Sequence, residues 1–147
     1  MADESLTGKD TDARSAWINQ VVAGRYEVLE AVGHTPWLWI FRVRDQTQNR
    51  ILTLRLLRGE LPNREAIEPQ LIQGWKRALL LQHAGIARNY DVVEDSARGL
   101  CGLTTEFVRG LDLRERIRRA APFALNVCVE IALGVAESLE YAHTRGM

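Results

Sequence analysis

The side chains that most often carry chemistry are few and widely spaced in this sequence. The three histidines are far apart in the chain: His34, His83 and His143. No nucleophile, base and orienting group stand together in a pattern typical of a catalytic triad. Cys101 and Cys128 form no CxxC pair and have no metal-ligand spacing, so we expect buried free thiols and no metal site. The only lysines among the nineteen basic residues are Lys9 and Lys76, which leaves few candidates for a buried catalytic lysine.

Length and composition describe one globular domain. The 147 residues, of which 46% are hydrophobic and 26% charged, suffice for a sizeable core. Nineteen acidic and nineteen basic residues cancel, so no overall field favours nucleic acid or an anionic membrane. No apolar run approaches the roughly 18 residues of a membrane helix, and the first residues lack the pattern of a signal peptide. We therefore expect a cytoplasmic protein with no nucleic-acid partner and no membrane contact from this segment.

Hydrophobic periodicity predicts an α+β fold. Residues 1–20 are mostly polar and should form a disordered tail, with the fold beginning near Val21. Alternating patterns predict strands over residues 26–32, 37–44, 50–57, 86–94 and 100–108. Six apolar residues share one face of a helix predicted over residues 62–82: Ile67, Leu71, Ile72, Trp75, Leu79 and Leu80. A short helix over residues 111–119 and a long one over residues 123–144 follow. The prediction is a five-stranded antiparallel sheet with one crossing helix, followed by two helices.

Six short stretches, taken in order along the chain, resemble those of a known family. They lie at residues 25–29, 41–45, 52–58, 83–92, 105–110 and 139–143. In this order they resemble the N-terminal lobe of bacterial Hanks-type serine/threonine protein kinases and the first two helices of the C-terminal lobe. Leu-Thr-Leu-Arg stands where the family has Val-Ala-Ile-Lys, and His-Ala-Gly-Ile where it has His-Pro-Asn-Ile. The resemblance implies a kinase-like N-lobe over residues 21–109 and the start of a C-lobe over residues 110–147.

The glycine-rich loop of the family is the first position at which this sequence departs from it. In the family, the GxGxxG pattern lets backbone amides close over the ATP phosphates. Gly33 stands at the first glycine position, but Thr35 and Leu38 stand at the other two, and Pro36 removes an amide donor. Tryptophans flank Leu38 on both sides. We expect their rings to pack onto the lobe or to fill the vacant cleft, with a novel ligand site as the alternative.

The ion pair that holds the phosphates in active kinases is also missing. The resemblance puts Arg55 at the strand-three lysine position and Gly74 at the position of its glutamate partner. Arginine keeps the charge but does not replace an ammonium in a tightly built site, so phosphate contact is conceivable rather than expected. Glu65 and Glu68 lie about two helical turns before Gly74. Lys76 lies two residues after Gly74 and therefore points away from the cleft, so we expect it to be a solvated surface lysine.

The apolar half of the adenine site survives in the sequence. The resemblance places Ile40 and Thr53 at the positions that sandwich adenine, and Thr105 at the gatekeeper position. The hinge hydrogen bonds would come from three consecutive residues: Glu106, Phe107 and Val108. The alternative is that these residues persist because both faces of the sheet need packing. We therefore expect no cofactor, with ATP binding weak if it occurs.

The catalytic loop has no counterpart in this chain. Met147 falls where His-Arg-Asp would begin, so the catalytic base and the metal-binding Asn and Asp have no residue to be carried onto. We predict no catalytic residue, no metal ligand and no phosphoryl transfer by this chain alone. It would be a kinase only if a C-lobe continues beyond Met147.

The long terminal helix is apolar nearly all round. Its apolar residues cannot share one stripe: Phe123, Leu125, Val127, Val129, Ile131, Leu133, Val135, Leu139 and Tyr141. A helix of this kind is typically buried on more than one side. Because this chain offers little to cover it, we predict an uncovered apolar patch of interface size. The candidates to cover it are a C-terminal continuation, a second copy of the chain and a different protein. The arginines of the short helix before it suit an acidic partner or simply form a solvated face.

Three functional hypotheses follow. The first is a catalytically inactive, pseudokinase-like module that binds or regulates in bacterial signalling. The second is a fragment of a serine/threonine kinase homologue that binds ATP weakly through Arg55 and the hinge. The third is an unrelated small α+β interaction domain.

Overall fold

A computed structural model describes residues 14–147, which contain an antiparallel sheet of six strands and three helices. The strands are β1 (Val21–Val22), β2 (Tyr26–His34), β3 (Leu38–Asp45), β4 (Arg50–Leu57), β5 (Asn89–Asp95) and β6 (Leu100–Glu106). The helices are α1 (Arg64–Ala78), α2 (Leu113–Ala120) and α3 (Leu125–His143). Within residues 14–147, no helix is both long and apolar enough to cross a membrane.

The strands lie in the order β1-β2-β3-β4-β6-β5. Tight turns join β2 to β3 and β3 to β4, whereas α1 separates β4 from β5 and lets β6 occupy the place beside β4. The predicted α+β architecture is confirmed, and the two-residue strand β1, which pairs with β2, is an addition to the five strands expected.

Alternation along the strands builds the main core. In β3 the side chains of Phe41 and Val43 are completely buried, while their neighbours in the chain are partly exposed. Leu54 of β4 is also completely buried and belongs to the same cluster. Trp17 and Ile18 pack against this cluster from the N-terminal side. The expectation of a disordered tail is therefore wrong for residues 14–20, because these two apolar side chains find a face of the sheet to cover; residues 1–13 lie outside the described residues.

The two ends of the sheet curl towards each other. Although β2 and β5 are far apart in the strand order, the Tyr26 hydroxyl donates to Asp91 Oδ2 at 2.8 Å. Arg25 donates from Nη1 to the same Asp91 oxygen at 3.1 Å, and from Nε and Nη2 to Asp45 at 3.0 and 2.8 Å. Burial, with the hydrogen bond to Asp91 next, raises the pKa of Tyr26 to about 12. This network joins β2, β3 and β5 around the core.

Helix α1 covers the other face of the sheet. Trp75 is buried and packs with Leu57, Cys101 and Leu103. Because α1 lies on this face and the main core on the other, β6 is buried on both sides. The helix ends at Ala78, earlier than predicted, and Leu80 is 76% exposed. The prediction that Leu80 lies on the buried face of the helix is wrong, since the helix ends two residues before Leu80.

The two cysteines differ in environment. Cys101 is fully buried in β6, as expected, and burial, with Glu68 nearby, raises the pKa of its thiol to about 12. Cys128 is exposed, so the expectation of burial is wrong for it. The reason is that Cys128 belongs to α3, a helix with no buried residue.

Hydrogen bonds and ring contacts join helix α3 to the segment after α1 at a junction near Tyr141. The backbone N–H of Gln82 donates to the Tyr141 hydroxyl at 3.1 Å, and the rings of His83 and Tyr141 lie 4.9 Å apart. The Nδ1 atom of His83 accepts a hydrogen bond from the Gly85 N–H at 3.1 Å and lies 3.5 Å from Ser138 Oγ. The junction holds one side of α3 against the lobe.

Candidate functional site

The cleft-facing residues predicted from the resemblance lie on neighbouring strands. Ile40 of β3 pairs with Arg55 of β4, which pairs with Leu103 of β6. Two residues away along β4 and β6, Thr53 pairs with Thr105. Cross-strand partners point to the same face of a sheet, as do residues two apart in a strand. The structure therefore brings the adenine-sandwich, lysine and gatekeeper positions together on the face that carries α1.

Arg55 has no charged partner on this face. Its side chain is exposed and forms no ion pair or hydrogen bond with residues 14–147. Glu68 pairs within α1 with Arg64 at 2.8 Å, and Lys76 reaches Glu94 of β5 at 3.0 Å on the surface. The acids of α1 thus do not reach Arg55, and the expected surface position of Lys76 is found.

Nothing in the local packing demands the glycines at the two family positions. A Cβ atom at Gly74, inside α1, would meet no atom within 4 Å, and the same holds at Gly33. Neither residue has a left-handed backbone. Gly74 therefore leaves open space at the position that the resemblance assigns to a carboxylate, and a glycine in a helix interior costs about 1 kcal/mol relative to alanine.

The loop between β2 and β3 uses its own amides. The Thr35 N–H donates to the Leu38 carbonyl at 2.8 Å. The Thr35 hydroxyl accepts from the Leu38 N–H at 3.0 Å and from the Trp37 N–H at 3.3 Å, and Pro36 has no N–H. From residue 35 to residue 38, every backbone donor is either committed within the turn or absent. A phosphate placed here would have to break these hydrogen bonds to be cradled.

The two tryptophans of this loop have different surroundings. Trp39 is 6% exposed and belongs to the main core, with the Arg58 guanidinium 4.0 Å from its ring centroid. It packs onto the lobe, on the face opposite to its neighbour Ile40, and does not enter the cleft. Trp37 is 51% exposed at the tip of the loop, so it neither packs onto the lobe nor fills the cleft.

Replacing Thr35 with valine is expected to lower the free energy of unfolding by about 1 kcal/mol, because the Trp37 and Leu38 amides lose their shared acceptor. Urea denaturation at neutral pH measures the change. Thr47→Val is the matched control, since the Thr47 hydroxyl, at another hairpin turn, makes no hydrogen bond with residues 14–147. Equal effects of the two substitutions would show that the Thr35 hydroxyl does not hold the turn.

The segment predicted as the hinge follows the end of β6. Thr105 is buried, and the Glu106 carbonyl accepts long hydrogen bonds from the Thr105 hydroxyl at 3.4 Å and the Thr53 hydroxyl at 3.5 Å. The Glu106 N–H is taken by the Arg88 carbonyl at 2.7 Å. Val108 is 66% exposed and makes no hydrogen bond within residues 14–147. Phe107 lies under the Arg42 guanidinium, which is 5.8 Å from its ring centroid.

No metal centre accompanies these residues in the described part of the chain. Among residues 14–147, no three His, Cys, Asp or Glu side chains come together in a way that could hold a metal ion.

The curled sheet and the crossing helix define a kinase-like N-terminal lobe with the first helices of the lobe that follows it. The crystal structure of the Mycobacterium tuberculosis PknI kinase domain matches this fold with a TM-score of 0.75 and 21% identity, covering 88% of this chain and 51% of that one. The predicted kinase-like fold is confirmed. The hypothesis of an unrelated α+β domain is wrong.

Sequence comparison agrees with the fold. The chain is 25% identical over 130 residues to a probable serine/threonine-protein kinase of Clostridium perfringens. The matched region covers 88% of this chain and 19% of that protein. It is also 25% identical over 130 residues to the serine/threonine-protein kinase PknB of Mycolicibacterium smegmatis, covering 87% of this chain and 21% of that protein. No protein-family model matches. The resemblance to bacterial serine/threonine kinases is confirmed, and the chain spans about a fifth of the length of these relatives.

Two structural features of the lobe were not predicted from the sequence. One is the turn centred on Thr35, for which a Ser or Thr just before a proline in a short loop is a usable signal. The other is the network of Arg25, Asp45, Asp91 and Tyr26, whose members are up to 66 residues apart. No local pattern connects residues at that separation, so only the curl of the sheet reveals the network.

Proposed function

We propose that this chain is a catalytically inactive, pseudokinase-like module that acts by binding or regulating other proteins in bacterial signalling. The observation that carries the proposal is the loop around Thr35, in which the amides that would cradle phosphate are satisfied by the turn itself. A ligand must offer more than the intact turn before these donors become available to it. We infer that the loop has no phosphate-binding role.

The charge around Arg55 supports the same proposal. In an active kinase the strand-three lysine is held by a carboxylate, and both must be in place for phosphoryl transfer. Here the exposed Arg55 has no carboxylate partner within residues 14–147. An exposed guanidinium without a carboxylate to hold it does not provide the fixed positive charge on which this chemistry depends.

The hinge favours a second candidate, weak ATP binding by a kinase-like fragment. The Glu106 carbonyl and the backbone of Val108 are available for hydrogen bonds, and Ile40 and Thr53 offer an apolar face beside them. Such a site would bind the purine through the hinge and leave the phosphates largely in solvent. This candidate and the first differ in whether the nucleotide stabilises the fold.

Thermal unfolding with magnesium and ATP separates the two candidates. We expect no rise in the unfolding temperature up to millimolar ATP, because a ligand stabilises only a folded state that binds it. A bound ligand at a hundred times its dissociation constant would add about 2.7 kcal/mol, which is several degrees and easily seen. Magnesium with inorganic triphosphate serves as the ionic control.

A rise of several degrees that saturates below millimolar ATP would contradict the first candidate and support the second. In that case Arg55→Ala tests the origin of the rise. Its loss would assign the effect to the cleft, and its persistence would assign it to the hinge alone.

Binding through α3 is the second part of the proposal. No residue of α2 or α3 is buried, and large apolar side chains are exposed along both helices. Exposed apolar surface of this kind is typical of protein interaction sites. The cytoplasm, where bacterial signalling partners are found, is the location that the proposal requires.

A further inference from the structure

We propose that α2 and α3 bind a second copy of this chain, with α2 of each copy lying on α3 of the other. This inference rests on the proposed function and specifies the partner of the same surface. It depends on the distribution of exposed apolar and charged side chains along the two helices.

The outer face of α3 carries an apolar stripe. Leu125, Val129 and Leu133 follow one another at four-residue spacing and are 80%, 47% and 56% exposed. Residues four apart lie one above the other on a helix, so these three form a single row. Val135 and Leu139, also about half exposed, widen the row on one side. The row faces away from the junction at Tyr141.

An acidic rim borders this stripe on its other side. The α3 helix contains three glutamates and no lysine or arginine: Glu130, Glu137 and Glu140. Glu137 follows Leu133 at the same four-residue spacing, and Glu130, seven residues before Glu137, lies on the same side of the helix beside Val129. None of the three carboxylates forms an ion pair within residues 14–147.

Helix α2 has the complementary pattern. Leu113 and Ile117, four residues apart, are 44% and 47% exposed and form a short apolar row. Arg114 lies beside this row and has no ion pair in the described chain. Glu115 is on the opposite side of the helix, where Arg118 and Arg119 bind it at 3.3 and 2.6 Å. The side with the apolar row is therefore positive.

The signs of charge decide which surfaces can meet. Four arginines and one glutamate give α2 a net charge of +3, whereas the three glutamates give α3 a net charge of −3. Pairing α3 with α3 would set carboxylates against carboxylates, and pairing α2 with α2 would oppose guanidinium groups. Pairing α2 with α3 joins two apolar rows and places Arg114 near Glu130 and Glu137. A second copy supplies both surfaces, and a two-fold axis forms the contact twice.

Sedimentation velocity with three chains tests this pairing. The wild-type chain is expected to form dimers, while Arg114→Glu alone and the double variant Glu130→Arg, Glu137→Arg alone each associate at least about tenfold more weakly, through like-charge repulsion. An equimolar mixture of the two variants is expected to form heterodimers with near wild-type affinity. In that mixture both contacts regain opposite charges, which no general effect on folding or solubility can reproduce.

Glu60→Arg is the matched control, because Glu60 is exposed, lies outside both helices and has no ion pair in residues 14–147. It should leave dimerisation unchanged, and circular dichroism establishes that every variant is folded. A wild-type chain that is monomeric at all concentrations overturns the pairing. So does association that all variants share, or a mixture that fails to recover. The thermal unfolding with ATP is independent of these results, so failure of the pairing and failure of the proposed function are told apart.

Discussion

Replacing Asp45 with asparagine is expected to lower the free energy of unfolding by about 2 kcal/mol at neutral pH, because it removes the charge of a buried carboxylate that binds the partly exposed Arg25 guanidinium. Asp45 is completely buried and accepts two hydrogen bonds from Arg25, at 3.0 and 2.8 Å. It also accepts from the Thr47 and Gln48 amides at 3.0 and 3.3 Å. Asparagine has a similar shape but no charge, so Arg25 loses its ion pair at 2.8 Å and keeps the one with Asp91 at 3.1 Å. Urea denaturation measures the difference.

The same substitution should remove part of the acid sensitivity of the fold. The hydrogen bonds from Arg25 lower the pKa of Asp45 more than burial raises it. This pKa therefore lies below its usual range. The stabilisation is therefore complete above the pKa of the unfolded chain, about 4, and is lost as the pH falls through the folded value. Between pH 7 and pH 3 the wild-type protein should lose more stability than the variant.

Asp95→Asn is the control for this substitution. Asp95 stands at the equivalent place in the turn between β5 and β6 and accepts from the Arg98 amide at 3.2 Å, without a buried ion pair. Its replacement should cost well under half as much. If Asp45→Asn were as mild as Asp95→Asn, or kept the full acid sensitivity, the network would not stabilise the curl.

Trp39→Ala is expected to destabilise the protein by about 3 kcal/mol or more, because it empties a buried site in the main core. The same substitution at Trp37, which is 51% exposed, should cost less than about 1 kcal/mol. The pair is well matched, since the two residues are two positions apart in the chain and lose the same atoms. Chemical denaturation of the two variants measures both values.

This comparison also tests the interpretation of the loop. Equal costs for the two tryptophans would mean that Trp37 is packed as tightly as Trp39 and that the loop folds over the cleft. A small cost at Trp39 would mean that it does not belong to the core. Either result would require a different explanation for the bulky residues near the positions that the resemblance assigns to glycines.

Most of the fold was predictable because its signals are local. The strands of residues 38–45 and 50–57 alternate between buried and exposed side chains, and that alternation is present in the sequence. The end of α1 was predicted less well. Leu79 and Leu80 continue the apolar pattern of the helix, but the chain turns after Ala78 and exposes Leu80. Apolar periodicity alone does not distinguish a helix end from a turn that carries the same residue types.

The candidate cleft was predictable only in part. The resemblance assigned Arg55 and Gly74 to it from the sequence, because each lies at a fixed place relative to a recognisable strand or loop. The role of Thr35 was not predictable in the same way, since a hydroxyl that satisfies two amides depends on the turn conformation. Likewise, the opposite environments of Trp37 and Trp39 follow from the tip of the loop and the pleat of β3.

The sequence by itself determined the order of strands and helices, the residue types at positions 55 and 74, and the excess of apolar residues in α3. Each of these depends on residue type and spacing along the chain. Only the tertiary structure decided that the sheet curls until Tyr26 and Arg25 reach Asp91, that the loop amides are already bound, and that α2 and α3 expose faces of opposite charge. These properties depend on distances between residues remote in the chain or on which side of a helix is covered, and both are fixed only when the elements pack together.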